Sequence, residues 1–146
     1  MGVTKNLKPM KKLYTASELG ELLLYTIYNA KAIWKVCKLD AKTVRKLRND
    51  LKEDFAGFSL TLHSDYMVHF LNRHFYEKQP DHRSITWADL EHIGDVVNGY
   101  KTAEEGNRDN TIVFSKYAGS GVFELVVEIN REEKRLEGRS FRIMRH

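Results

Sequence analysis

The last third of the chain carries a two-residue alternation of apolar and polar side chains that suits a β-strand and no helix. Within residues 122–130 the odd-numbered positions carry Phe123, Leu125, Val127 and Ile129. The even-numbered positions between them carry Glu124, Val126 and Glu128, and Val122 and Asn130 lie at the two ends of the segment. Turn-forming residues flank this segment, and further strands are predicted at residues 111–117 and 135–144. The three segments predict an antiparallel meander whose apolar face has to be covered by helices.

Helical patterns dominate the residues before this meander. Thr15 and Glu18 form a capping box, which predicts a long, largely buried helix running to about Lys38. Asp40 is positioned to cap a second helix, with apolar residues at three- and four-residue spacing up to Gly57. A strand is predicted at residues 58–62, helices at 64–79 and 84–98, and an exposed loop at 99–110. The expected fold class is α+β, with N-terminal helices followed by an antiparallel sheet of about four strands and helices packed on one face.

The positive charge is concentrated in the first part of the chain. The 146 residues have a net charge of +4, with a net +6 in residues 1–57 and a net −2 in residues 58–146. This distribution divides the chain near Gly57 into a basic helical extension (1–57) and a near-neutral domain (58–146), or into two parts of one compact unit. A basic segment favours a polyanionic partner. A solvated helix surface explains the same charges without a partner.

Cysteine content and hydropathy exclude several classes of protein. A single cysteine, Cys37, excludes an internal disulfide framework and a cysteine-rich structural zinc site. No apolar run has the length of a membrane span, and the basic N-terminus lacks the apolar core and cleavage site of a secretory signal. We therefore expect a cytoplasmic protein with no membrane partner.

One short run, HSDYMVHFLNRHFYEK at residues 63–78, concentrates groups suited to proton transfer. His69 and His74 are five residues apart, about 140° around a helix axis, so they cannot bind one metal ion from a straight helix. Neither a metal site nor another cofactor is therefore expected. Histidine is the side chain best suited to acid–base catalysis near neutral pH. A hydrogen-bonded structural role is the alternative for both residues.

Five segments together resemble a known family. They read YMVHFLNRHF, ITWADLEHIGDVVNGY, TIVFSKY, GVFELVVEIN and RLEGRSFRIM. In order and spacing they resemble the phage-type members of the barnase–EndoU–colicin–RelE (BECR) nucleases over residues 58–146. The positions that match the family pattern are His69, Arg73, His74, Lys116 and Ser140 with Phe141. The chain departs from that pattern in having serine at 140, where threonine is commoner, and in lacking a proline-containing turn after the second helix.

The resemblance implies a metal-independent endoribonuclease, of the kind found as toxins, that cleaves RNA through a 2′,3′-cyclic phosphate. His69 and His74 would act as base and acid, Arg73 and Lys116 would hold the phosphate, and Ser140 would donate a hydrogen bond to it. RNA, with tRNA as one candidate, is the expected substrate. An immunity or antitoxin protein is a further expected partner. The site of action would be the host cytoplasm if the protein is phage-encoded or delivered as a toxin.

Alternation in the last strand adds residues to this candidate site. With Phe141 and Ile143 in the core, Ser140 and Arg142 face the uncovered side of the sheet, where Glu124 and Glu128 of the neighbouring strand also lie. Arg142 is thus a candidate for substrate binding and Glu124 a further general base. Surface ion pairs between strands, such as Glu128 with Arg142, are the alternative explanation.

Two other classes of function stay open. The first is a non-catalytic nucleic-acid-binding protein that docks the basic helix at residues 40–52 on DNA. The second is a phage inhibitor or interaction module built on an inactive nuclease fold, since a fold does not fix a function.

Overall fold

The computed structural model describes residues 5–6, 32–63, 82–85, 89, 92–119 and 121–145. Its strands are β1 (Lys5–Asn6), β2 (Ala32–Lys38), β3 (Ser59–His63), β4 (His82–Arg83), β5 (Thr102–Glu105), β6 (Thr111–Ala118), β7 (Gly121–Asn130) and β8 (Arg135–Arg145). Its helices are α1 (Ala41–Leu51) and α2 (Ile93–Asn98).

All eight strands belong to one mixed sheet. The six longer strands follow the order β2-β3-β8-β7-β6-β5, while β1 pairs with β2 and β4 pairs with β8. Strands β6, β7 and β8 form the predicted antiparallel meander, and β3 lies parallel to β8. The expected fold class is wrong, because the described chain is mostly sheet with two short helices rather than N-terminal helices followed by about four strands.

Strand β2 lies where the sequence predicted the end of a long helix. Ile33 and Trp34 are both buried although they are adjacent and point to opposite faces, so β2 is covered on both sides. A short run buried on both sides has the same apolar pattern in a helix and in a strand. Pairing with β3, which sets Trp34 opposite Leu62, stabilises the strand. The predicted start of this helix, at residues 15–31, lies outside the described residues.

Helix α1 confirms the prediction for residues 40–52. The Asp40 carboxylate accepts a hydrogen bond of 2.8 Å from the Thr43 backbone N–H and so caps the helix. Val44 and Leu47 are buried in the core. The helix ends at Leu51. The N–H of the capping residue Lys52 still bonds to the carbonyl of Arg48, and the left-handed backbone of Lys52 (φ 60°) then turns the chain away from the helix axis.

Two further predictions for the middle of the chain need correction. Residues 99–110 were expected to form a loop, but they contain β5, which pairs with β6 at the edge of the sheet. Only Ala103 of this strand is buried, so its composition resembles that of a loop. Of the helix predicted at residues 84–98, Ile93–Asn98 is helical, whereas Ser84 and Ile85 follow β4 without helical structure.

The hydrophobic core lies on one face of the sheet, beneath α1 and α2. It contains Ile93, Val96 and Val97 from α2. It also contains the alternating inward residues of the meander, among them Phe114, Phe123, Leu125, Phe141 and Ile143. The inward positions predicted for β7 and β8 are thereby confirmed. The opposite face of β6, β7 and β8, called here the polar face, carries the candidate site.

Candidate active site

Register between the meander strands brings several predicted site residues together on the polar face. Glu124 of β7 pairs with Arg142 of β8, and Val126 pairs with Ser140. In β6, Ser115 lies opposite Glu124. Residues paired in this way point to the same side of a sheet. Glu124, Ser140 and Arg142 consequently line one groove of about 420 Å³, a size within the usual range of ligand sites.

A β-bulge at Arg139 interrupts the alternation of side chains between the two faces of β8. Val126 pairs with Ser140, whereas Val127 pairs with Gly138, so Arg139 has no partner of its own in β7. A bulge turns two consecutive side chains toward one face. Arg139 and Ser140 therefore both line the groove. Arg139 is absent from the sequence prediction because strict alternation assigns it to the opposite face, and Gly138 within a strand is the signal that marks the bulge.

Gly138 is also required by the packing beside the bulge. A Cβ atom at this position would lie 2.7 Å from Leu62 Cδ2 and 3.4 Å from the carbonyl oxygen of Thr61. Leu62 is buried in β3, the strand parallel to β8. The close approach of β3 and β8 therefore depends on the missing side chain.

Glu124 and Arg142 form an ion pair in the lining of the groove. Arg142 Nε donates a hydrogen bond of 2.6 Å to Glu124 Oε1, and its Nη2 contacts the same oxygen. The Glu124 side chain is 12% exposed and that of Arg142 is 40% exposed. Among the described residues, no donor is bonded to the other carboxylate oxygen of Glu124, Oε2. Cross-strand ion pairs, the alternative explanation for these charges, are therefore present, but Arg142 pairs with Glu124 rather than with Glu128.

A second group of charges holds Arg139. Its Nη2 lies 3.1 Å from Oε1 and 3.2 Å from Oε2 of Glu128, and 3.2 Å from Oε1 of Glu137. Glu128 and Glu137 are direct cross-strand partners, so the guanidinium lies between two carboxylates that would otherwise repel each other. These contacts fix the direction in which Arg139 enters the groove.

Glu137 is buried and has further partners. His63 Nε2 lies 3.2 Å from its Oε2, at ion-pair distance but without the alignment of a hydrogen bond. Asn130 Nδ2 donates to the same oxygen over 3.3 Å. Burial raises the pKa of Glu137, but the contact with His63, the hydrogen bond from Asn130 and the charge of Arg139 more than offset it, so the pKa lies below its usual value.

The segment between β5 and β6 forms one wall of the groove. Arg108 and Asp109 belong to that wall. Thr111 Oγ1 donates to the carbonyl of Arg108 over 2.6 Å, and the Gly106 N–H donates to the carbonyl of Thr111 over 2.9 Å. A Cβ atom on Gly106 would lie 2.2 Å from Thr111 Oγ1, so this tight turn requires glycine. The wall adds one cation and one carboxylate to the groove.

Lys116 lies on the other side of the sheet. It pairs with Phe123 and therefore shares the core face with Ile112 and Phe114. With His92 and Asp95 of the α2 region it lines a small separate depression of about 90 Å³. The structure does not bring Lys116 together with Ser140. His69, Arg73 and His74, the other predicted site residues, lie outside the described residues.

Within the described ranges, no three His, Cys, Asp or Glu side chains are grouped so that they could hold a metal ion. None of the helices in the described part of the chain is long and apolar enough to cross a membrane. No family model, no curated protein and no solved structure matches the chain.

Proposed function

We propose that this protein is a metal-independent endoribonuclease and that the groove on the polar face is its active site. The observation that carries the proposal is the Glu124–Arg142 pair, a mostly buried carboxylate held by a guanidinium and lying beside Ser140. A carboxylate next to a fixed cation combines a base with a group that stabilises charge on phosphorus. The resemblance to BECR nucleases in the sequence supports the same reaction class.

Cleavage in this groove needs a base for the 2′-hydroxyl of the ribose. Oε2 of Glu124 would take that proton, because Oε1 is occupied by Arg142. The freed 2′-oxygen then forms a bond to phosphorus, and the bond from phosphorus to the 5′-oxygen breaks. The product is a 2′,3′-cyclic phosphate, which DNA cannot form because it has no 2′-hydroxyl. The leaving 5′-oxygen takes a proton from a general acid, for which His69 and His74 remain the candidates.

Two arginines would stabilise the charge that develops on the phosphate. Arg142 uses Nε and Nη2 on Glu124, while its 40% exposure leaves part of the guanidinium facing the groove. Arg139 is oriented by Glu128 and Glu137 before any substrate binds. Donors that are fixed in advance need no reorganisation during the reaction, which is the main advantage of such sites. Ser140 would add a neutral hydroxyl donor.

A non-catalytic role in nucleic-acid binding is the second candidate. It is favoured by the exposed face of α1, where Lys42, Arg45 and Lys52 are all solvent-exposed. Two other cations of the helix are engaged within the protein: Arg48 pairs with Asp54, and Lys46 bonds to the carbonyl of Tyr100. An exposed basic helix face binds phosphates without reading sequence and without any chemistry.

One cleavage experiment distinguishes the ribonuclease from the non-catalytic nucleic-acid-binding protein. The full chain is incubated in EDTA with a DNA oligonucleotide that contains a single ribonucleotide, and with an all-DNA control of the same sequence. We expect cutting only after the ribonucleotide, with a 2′,3′-cyclic phosphate detected by mass spectrometry. Cutting of the all-DNA strand, or binding of both strands without cutting at the ribonucleotide, would contradict the ribonuclease proposal.

A further inference from the structure

Tyr117 is the one large hydrophobic residue that the described part of the chain leaves exposed. Its exposed fraction is 54%, whereas Phe114 and Phe123, the aromatic residues nearest to it in β6 and β7, are buried. Tyr117 belongs to β6, where side chains alternate between the two faces of the sheet. Phe114 faces the core, so Ser115 and Tyr117 both lie on the polar face. An exposed aromatic ring on the same face as the candidate active site offers a flat apolar surface to a ligand bound there.

Lys101 lies against this ring. Its ammonium nitrogen is 4.0 Å from the centroid of the Tyr117 ring, which is cation–π geometry. The backbone supports the arrangement, because the Lys101 N–H donates to the Ser115 carbonyl over 2.7 Å. The ammonium therefore covers one face of the ring, and the part of the ring that stays exposed lies close to a positive charge.

The pair lies one step along the sheet from the proposed catalytic carboxylate. Tyr117 pairs with Val122, and Ser115 pairs with Glu124, so Glu124 is the diagonal cross-strand neighbour of Tyr117. Diagonal neighbours have Cβ atoms roughly 7–8 Å apart, within reach of aromatic and long side chains. A nucleotide whose phosphate lies at Glu124 and Arg142 can therefore extend a neighbouring base over Tyr117.

We propose that Tyr117 and Lys101 form a base-stacking subsite for single-stranded RNA next to the scissile phosphate. This inference rests on the proposed ribonuclease function. Single-stranded nucleic acids are bound by aromatic rings that stack on bases and by cations that track the backbone. Stacking tolerates every base, since each base has a π-face. The subsite therefore selects unpaired RNA at this position and does not select a sequence.

The test combines removal of the ring with removal of a base. Wild-type protein and the Tyr117→Ala, Tyr117→Phe and Lys101→Met variants are compared for binding to a 2′-fluoro single strand, which lacks the attacking hydroxyl. Fluorescence anisotropy is measured with the intact strand and with strands that carry one abasic position each. Cleavage of the matching RNA is followed in parallel for KM and kcat.

We expect Tyr117→Ala to weaken binding roughly 5- to 150-fold, the range for loss of one stacked base. Tyr117→Phe should bind like wild type, Lys101→Met should bind more weakly, and the cleavage defect of Tyr117→Ala should be in KM. One abasic position should weaken wild type but leave Tyr117→Ala unaffected. Equal affinity of wild type and Tyr117→Ala, or the same abasic penalty in both, would overturn the subsite.

The outcomes for subsite and function are separable. Wild-type protein that cuts RNA while Tyr117→Ala has unchanged KM and affinity would refute the subsite and retain the ribonuclease. Wild-type protein that never cuts, yet loses affinity for one base in Tyr117→Ala, would refute the ribonuclease and retain the subsite.

Discussion

Replacement of Gly138 by alanine tests how the bulge in β8 is built. The new Cβ atom would lie 2.7 Å from Leu62 Cδ2, about 1 Å closer than a favourable carbon–carbon contact. Leu62 is buried, so neither residue can turn toward solvent. Overpacking of this kind costs typically about 1–3 kcal/mol. For a chain of this size the loss corresponds to a fall in Tm of roughly 2–12 °C.

Urea unfolding followed by circular dichroism measures this loss, and Gly94→Ala is the matched control. Gly94 is also buried, but its added Cβ atom would make ordinary contacts of 3.5 Å with Cys37 Sγ and Val36 Cγ1. Because Gly94 is in α2, alanine there should be neutral or stabilise the protein by up to about 1 kcal/mol.

A double variant identifies the contact responsible. Shortening the neighbour with Leu62→Val removes the Cδ2 atom, so Gly138→Ala should cost less in that background than in wild type, by about 0.5 kcal/mol or more. Equal destabilisation by Gly138→Ala and Gly94→Ala, or strict additivity with Leu62→Val, would refute the packing explanation.

Three further predictions concern stability and titration. Burial first, and then neighbouring carboxylates, raise the pKa of Cys37 to about 11, so iodoacetamide at pH 8 should label the native protein far more slowly than the urea-unfolded protein, as measured by mass spectrometry. Asp40→Ala should lower the free energy of unfolding by about 1 kcal/mol through loss of the α1 cap, and Asp40→Asn should lower it by less. Hydrogen bonds from Thr43 also lower the pKa of Asp40 in the folded protein. The contribution of the ionised Asp40 to stability should therefore be present above the usual carboxyl pKa and be lost as pH falls through the lowered, folded-state pKa. The pKa of Glu137 is likewise lowered, because burial, which raises it, is outweighed by the His63 contact and the other partners. The contribution of ionised Glu137 to stability is therefore present at neutral pH and lost as pH falls through the folded-state pKa. Glu137→Gln should flatten the acid side of the stability–pH curve, and an unchanged slope would contradict the assignment.

The meander was predictable because one rule governs it. In β7 the side chains alternate between the core face and the polar face, and this period of two is visible in the sequence from Phe123 to Ile129. The same rule applied to β6 assigns Lys116 to the core face, since Phe114 is buried two residues earlier. The separation of Lys116 from Ser140 was therefore within reach of sequence reasoning.

Other features depend on partners distant in sequence. Strand β2 is specified by its pairing with β3, and its apolar run fits a helix equally well. The entry of Arg139 into the groove depends on a bulge that breaks alternation, for which Gly138 is the only local sign. Edge strand β5 has the polar composition of a loop because little of it is buried.

The dependence of RNA cleavage on Glu124 tests the central claim most directly. Single-turnover cleavage is compared for wild type, Glu124→Gln, and Lys116→Ala as a control on the opposite face of the sheet. We expect Glu124→Gln to reduce the rate by at least about 100-fold, the usual scale for losing a general base. Lys116→Ala should reduce it by less than about tenfold, corresponding to ~1.4 kcal/mol. Full activity in Glu124→Gln, together with loss of cutting in Lys116→Ala, would place the chemistry on the other face and contradict the proposed site.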